Sequence, residues 1–164
     1  MKTDTERLLA HLPELRPADF DSRPDYEIAA EELRAFYAGL GLTHTITRLG
    51  KRCDESMGRK WEHYAYAVSL TRPSFAGEQV FPWRQGTGVT KDPDPAEVLA
   101  HVAEDYEGTQ GRTFEEWASE YGYDSDSRAA EKVFQSCIRL AAQVRALGLS
   151  GEQLSTLADF ARRL

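Results

Sequence analysis

Three groups of residues in this chain have types that chemistry uses. The stretch Gly122 to Cys137, GYDSDSRAAEKVFQSC, places Asp124, Asp126 and Glu131 close together in sequence. Carboxylates at short spacing suit a hard divalent cation, but a calcium loop also wants further oxygen ligands, a mid-loop glycine and a glutamate at its twelfth position. Asp and Ser here have another use, which is to accept hydrogen bonds from the unpaired amides at a helix start. The sequence favours that cap over a metal site, and no cofactor is expected. The second group is Cys53 and His63. Lys51 and Arg52 beside Cys53 would favour its thiolate. His63 carries an imidazole suited to general base work. A small hydrolase-like enzyme using these residues is the alternative reading of the chain, although no motif links the two.

The third group is a block of carboxylates. Residues 92–131 hold twelve Asp and Glu against Arg112 and Arg128, a local balance of −10 in a chain of net charge −7. Residues 51–90 carry six basic and four acidic residues, a balance of +2. Such a block repels nucleic acid and suits a basic surface on another protein. The face expected to meet that surface is Glu97, Glu104, Asp105, Glu107, Glu115, Glu116 and Glu120. A run of this kind is also what a solvated helix surface looks like. Other motifs of chemistry are missing. There is no phosphate-binding loop, no nucleophile elbow, and no metal spacing among His11, His44, His63 and His101.

The elements that must position these groups are legible from their punctuation. The spacing predicts an α+β chain, a single domain over 1–164 in three parts. These are an N-terminal helical segment (1–40), a three-stranded antiparallel meander (43–83) and C-terminal helices (94–164), with five to six helices in all. Thr3-Asp4-Thr5-Glu6 opens a first helix that stops before Pro13, and Leu15–Asp25 is an irregular connection. A second helix covers Tyr26–Ala38 and ends at Gly39 and Gly41. Thr43–Leu49 alternates as a strand, and Gly50–Gly58 reads as a polar loop. Lys60–Thr71 alternates most clearly, with Tyr64, Tyr66, Val68 and Leu70 on one face and Trp61, His63, Ala65, Ala67 and Ser69 on the other. Glu78–Trp83 is a third strand, which Pro82 either places at an edge or brings to its end, and Glu62 and Glu78 are possible neighbours across a hairpin. Gln85-Gly86-Thr87-Gly88 reads as a loop.

Asp94-Pro95-Ala96-Glu97, Thr113-Phe114-Glu115-Glu116 and Ser150-Gly151-Glu152-Gln153 each open a helix. The longest helix, Ser127–Leu147, carries a core stripe of Val133, Phe134, Cys137, Ile138, Ala141, Val144 and Leu147. Phe114 and Trp117 point inward from the short helix before it. No apolar run approaches the ~20 residues of a membrane span. Two isolated cysteines and an N-terminus without a signal-peptide pattern lead to an expectation of a cytoplasmic protein.

The segment Phe114-Glu115-Glu116-Trp117, then Glu120-Tyr121-Gly122-Tyr123-Asp124-Ser125-Asp126-Ser127-Arg128-Ala129-Ala130-Glu131, then Phe134 and Cys137, resembles a group of small phage and prophage proteins. The likeness covers roughly Trp61 to Leu140, and its Asp-Ser-Arg core is the most specific part. It implies a strand meander followed by a helix pair, a phage context and a non-catalytic role, and it supplies no catalytic residues. Phage accessory proteins of this size often act against host defence. By that association the chain is expected to be an anti-CRISPR-like inhibitor, whose acidic face imitates a phosphate backbone and occupies a basic nucleic-acid-binding surface on a host defence protein or ribonucleoprotein complex. A homodimeric phage accessory protein, joined through Trp61 and Trp83 if they are exposed, is the remaining expectation.

Overall fold

The computed structural model describes residues 23–56, 58–75, 77–86 and 92–164. The expected first helix from Thr3 lies outside these residues, as does most of the connection that follows it. Among the described residues the elements are α1 (Asp25–Gly39), β1 (Thr43–Ser56), β2 (Arg59–Thr71), β3 (Gln79–Gly86), α2 (Pro95–Thr109), α3 (Phe114–Tyr121), α4 (Arg128–Ala146) and α5 (Gly151–Arg163). The class is α+β. The sheet is the antiparallel meander β1-β2-β3, and Pro82 does sit on an edge strand.

The first hairpin is longer than its sequence pattern suggests. β1 continues through the stretch read as a loop and pairs as far as Ser56 with Arg59, and Gly58 turns the chain with a φ of 72°. That left-handed conformation is open to glycine without strain. β3 pairs with β2 only from His63 to Leu70, so the outer end of the hairpin is two strands wide. Nothing there has to alternate between core and solvent, and the strand signal is lost. The register also slips between Arg48 and Gly50, a bulge that leaves Leu49 64% exposed. β3 in turn runs on to include Gln85 and Gly86. Glu62 lies opposite Cys53, and the residue after Glu78 pairs with Leu70 at the far end of β2. Glu62 and Glu78 are therefore not neighbours.

One face of the sheet is covered. Val68, Leu70 and Phe81 share a core cluster with Leu33 and Tyr37 of α1, Leu99 of α2, Val144 of α4 and Leu157 of α5. Fully burying a side chain of that size contributes roughly 1.5–3 kcal/mol. Trp83 is half-buried against this cluster, opposite Tyr66, and its ring lies 5.6 Å from that of His101. It is therefore on the covered face and cannot serve as the exposed dimer contact. The other face presents Thr45 and Thr47, the small residues Ala65, Ala67 and Ser69, and Val80 and Pro82. α2 is the central helix. Ala96, Val98, Leu99, Ala100, Val102 and Ala103 are all buried, more than one helical face, because α1, α4 and α5 all pack on it.

The helix starts follow the sequence closely. Thr113 and Ser150 each close a capping box with Glu116 and Gln153. At α2, Asp94 caps Ala96 at 2.9 Å, and its second oxygen accepts from Arg34 Nε at 2.8 Å. On α4 the stripe is narrower than expected. Phe134, Cys137, Ala141 and Val144 are buried, whereas Val133 and Ile138 are 41% and 42% exposed. α4 lies at the margin of the bundle, so only a thin strip of it meets α2, α3 and β3.

Candidate functional site

Each of the three groups now has a place. Ser127 caps α4, accepting from the Ala130 amide at 3.3 Å, and the Asp124 carboxylate accepts from the Asp126 amide at 3.0 Å. The acidic stretch is thus a helix start. Among the described residues no three His, Cys, Asp or Glu side chains converge as a metal site.

Cys53 is exposed and lies opposite Glu62, while His63 lies opposite Arg52. Neighbouring strand positions alternate between faces, so the Cys53 and His63 side chains project to opposite sides of the hairpin. They cannot act as nucleophile and base on one substrate. His63 lines a shallow depression of about 220 Å³ on the open sheet face, together with Lys51 and Arg84. Cys53 is not part of it.

The carboxylates divide into two sets. Glu97 stands near the start of α2, where its charge acts on Arg34. Glu115 and Glu116 stand in the first turn of α3, where carboxylates favour the helix dipole, and Glu116 is engaged in the capping box. The other four converge where the second half of α2 faces the end of α3. Gly108 makes that approach possible: a Cβ there would stand 2.5 Å from the Tyr121 hydroxyl. Tyr121 therefore lies directly over α2 and separates two adjoining depressions. On one side are Glu107 and Glu120, held by Arg162 at 2.7 Å and by Arg112 at 2.5 Å. On the other is a cleft of about 290 Å³ lined by Glu104, Asp105, Trp117, Tyr121, Tyr123 and Cys137.

The cleft has an aromatic wall. Trp117 and Tyr123 are stacked 4.8 Å apart at 8°, and Tyr121 and Phe134 lie 5.7 and 5.3 Å from the Trp117 ring. Trp117 is buried, while Tyr121 and Tyr123 are about half exposed. Asp105 is exposed as a residue, but partial desolvation of its carboxyl, and then the neighbouring charge of Glu104, raise it above its ordinary pKa, and His101 works the other way. Burial pushes the Cys137 thiol up to about 11, with the Asp105 charge adding to it. A raised thiol is a poor nucleophile, so Cys137 serves as a small floor residue. The Asp105 carboxylate makes no hydrogen bond or ion pair among the described residues, whereas Glu104 has His101 Nδ1 at 3.6 Å.

The seven carboxylates were readable as a block from charge alone. The aromatic wall was not. Its residues appear in the sequence only as a local richness in Phe, Trp and Tyr, and their meeting with α2 depends on a long-range approach over one glycine. No known protein family, curated protein or solved structure matches this chain.

Proposed function

We propose that this protein is a non-catalytic binding module whose acidic α2–α3 surface receives a basic surface of a partner protein. The observation that carries the reading is the convergence of Glu104, Asp105, Glu107 and Glu120 on two depressions either side of Tyr121. They lie within a segment whose charge balance is −10. Complementary charge of this density steers encounter and penalises wrong partners. Glu107 and Glu120 already have internal cations, so they shape the surface more than they supply free charge. Glu97, Glu104, Asp105 and Glu115 supply most of it.

The narrower form of the proposal names the partner as a nucleic-acid-binding host defence complex, inhibited because carboxylates stand where phosphates would. It rests on the resemblance of residues 114–137 to phage proteins and on charge, and it is association by context.

The test is capture of partners from bacterial lysate by the tagged chain and by a Glu97→Lys, Glu104→Lys, Glu115→Lys variant. These three residues are chosen because none closes a capping box. The expected result is a partner retained at low salt by the native chain, lost by the variant and displaced by added nucleic acid. Retention by the variant overturns the acidic-surface reading. Retention that added nucleic acid does not disturb overturns only the narrower form.

A further inference from the structure

The acidic surface contains one depression whose chemistry is more specific than charge. We propose that the cleft between α2, α3 and α4 is an arginine pocket, receiving the guanidinium of an arginine on the basic partner. The inference rests on the partner-binding reading above and adds the kind of side chain that docks.

Four observations lead to it. The cleft holds about 290 Å³, at the floor of the range for whole small-molecule ligands, so it suits a side chain better than a cofactor. Its wall is the stacked pair Trp117–Tyr123 extended by Tyr121. Aromatic faces attract cations, and guanidinium planes stack on them. Its rim carries Glu104 and Asp105, adjacent carboxylates able to accept the paired N–H groups of a guanidinium. Of the two, Asp105 has no hydrogen-bonding or ion-pair partner of its own among the described residues. Asp105 is exposed at the rim beside Glu104, so an incoming cation can reach it and would relieve the repulsion between the two carboxylates. Val133, which the core does not cover, adds an apolar edge for the arginine stem.

The full chain is titrated with an acetylated, amidated peptide of sequence Gly-Arg-Gly-Arg-Gly-Arg-Gly and with its lysine counterpart, followed by NMR residue by residue. The expected result is shifts at Trp117, Tyr123 and Val133 with the arginine peptide, several-fold tighter than with the lysine peptide. Asp105→Asn should weaken binding about tenfold, the loss of one charge-assisted hydrogen bond. Gly108→Ala is the second variant. It favours the helix, so folding survives, while its Cβ forces Tyr121 aside and binding should fall without a drop in thermal stability. Shifts confined to Glu97, Glu115 and Glu116 overturn the pocket and leave the acidic surface standing. Equal response to the lysine peptide overturns the guanidinium assignment. No shift with either peptide overturns both the pocket and the surface.

Discussion

Gly148 has a φ of 67°, and a Cβ placed on it would stand 2.1 Å from the ring of Phe75. Arg72 explains the crowding. Its guanidinium donates to the carbonyls of Leu147 and Gly148, at 3.3 and 2.6 Å, and lies 4.5 Å from the Phe75 ring. One arginine thus satisfies two carbonyls just past the end of α4 and fastens the β2–β3 connection over them. Gly148→Ala meets both a strained backbone and the Phe75 ring, which would have to be displaced from its contact with Arg72. It should cost about 2 kcal/mol or more in a urea denaturation, well above the few tenths expected for an exposed loop glycine with room around it. Tyr37 makes a second claim of this kind. Burial, and then the Asp94 carboxylate, pushes its phenol up to about 12 from 10.0. A raised pKa means the folded chain holds its proton where the unfolded chain has lost it. The stability is therefore intact below pH 10 and falls as the pH rises toward 12, by roughly 2–3 kcal/mol. Tyr37→Phe should flatten that fall; an unchanged alkaline profile would show that the phenol is not held in a protected site.

Helix starts were the most legible feature of the chain, because a cap is written in four consecutive residues. Thr113 and Glu116 close their box as read, with bonds of 3.3 and 2.9 Å. Thr113→Ala should cost about 1 kcal/mol, and Glu115→Ala, on the exposed side of the same turn, less than half of that. Thermal unfolding of the pair checks it, and equal losses would mean that the box does not hold α3. Features that depend on distant residues were harder to read. The outer half of β1 shows no alternation because it covers no core there, and it reads as a loop. The stripe on α4 was drawn too wide because a periodic pattern does not reveal how much of a helix its neighbours cover: Phe134 meets α3, while Val133 beside it borders the cleft. The cleft was legible only as carboxylates, since its aromatic wall needs α3 to fold back over Gly108.

Across the molecule, charge and architecture are arranged separately. Arg163, near the end of the chain, reaches Asp25 at 3.1 Å and Glu32 at 3.0 Å and ties α5 to α1, an exposed pair of bonds worth under about 1 kcal/mol. The core cluster that joins the sheet to four helices contains none of the seven carboxylates, and Glu97, Glu104 and Glu115 close no capping box, so altering these three should leave the fold intact. No helix among the described residues is long and apolar enough to cross a membrane. What remains distinctive is the concentration of negative charge over α2 and α3, opposite in sign to the balance of residues 51–90. The most direct measurement is the affinity for a captured partner as a function of ionic strength, taken for the native chain and for the Glu97→Lys, Glu104→Lys, Glu115→Lys variant. An acidic docking surface predicts affinity that falls steeply as salt rises and is lost at low salt in a variant that still unfolds cooperatively. Binding that ignores both salt and charge reversal would contradict it.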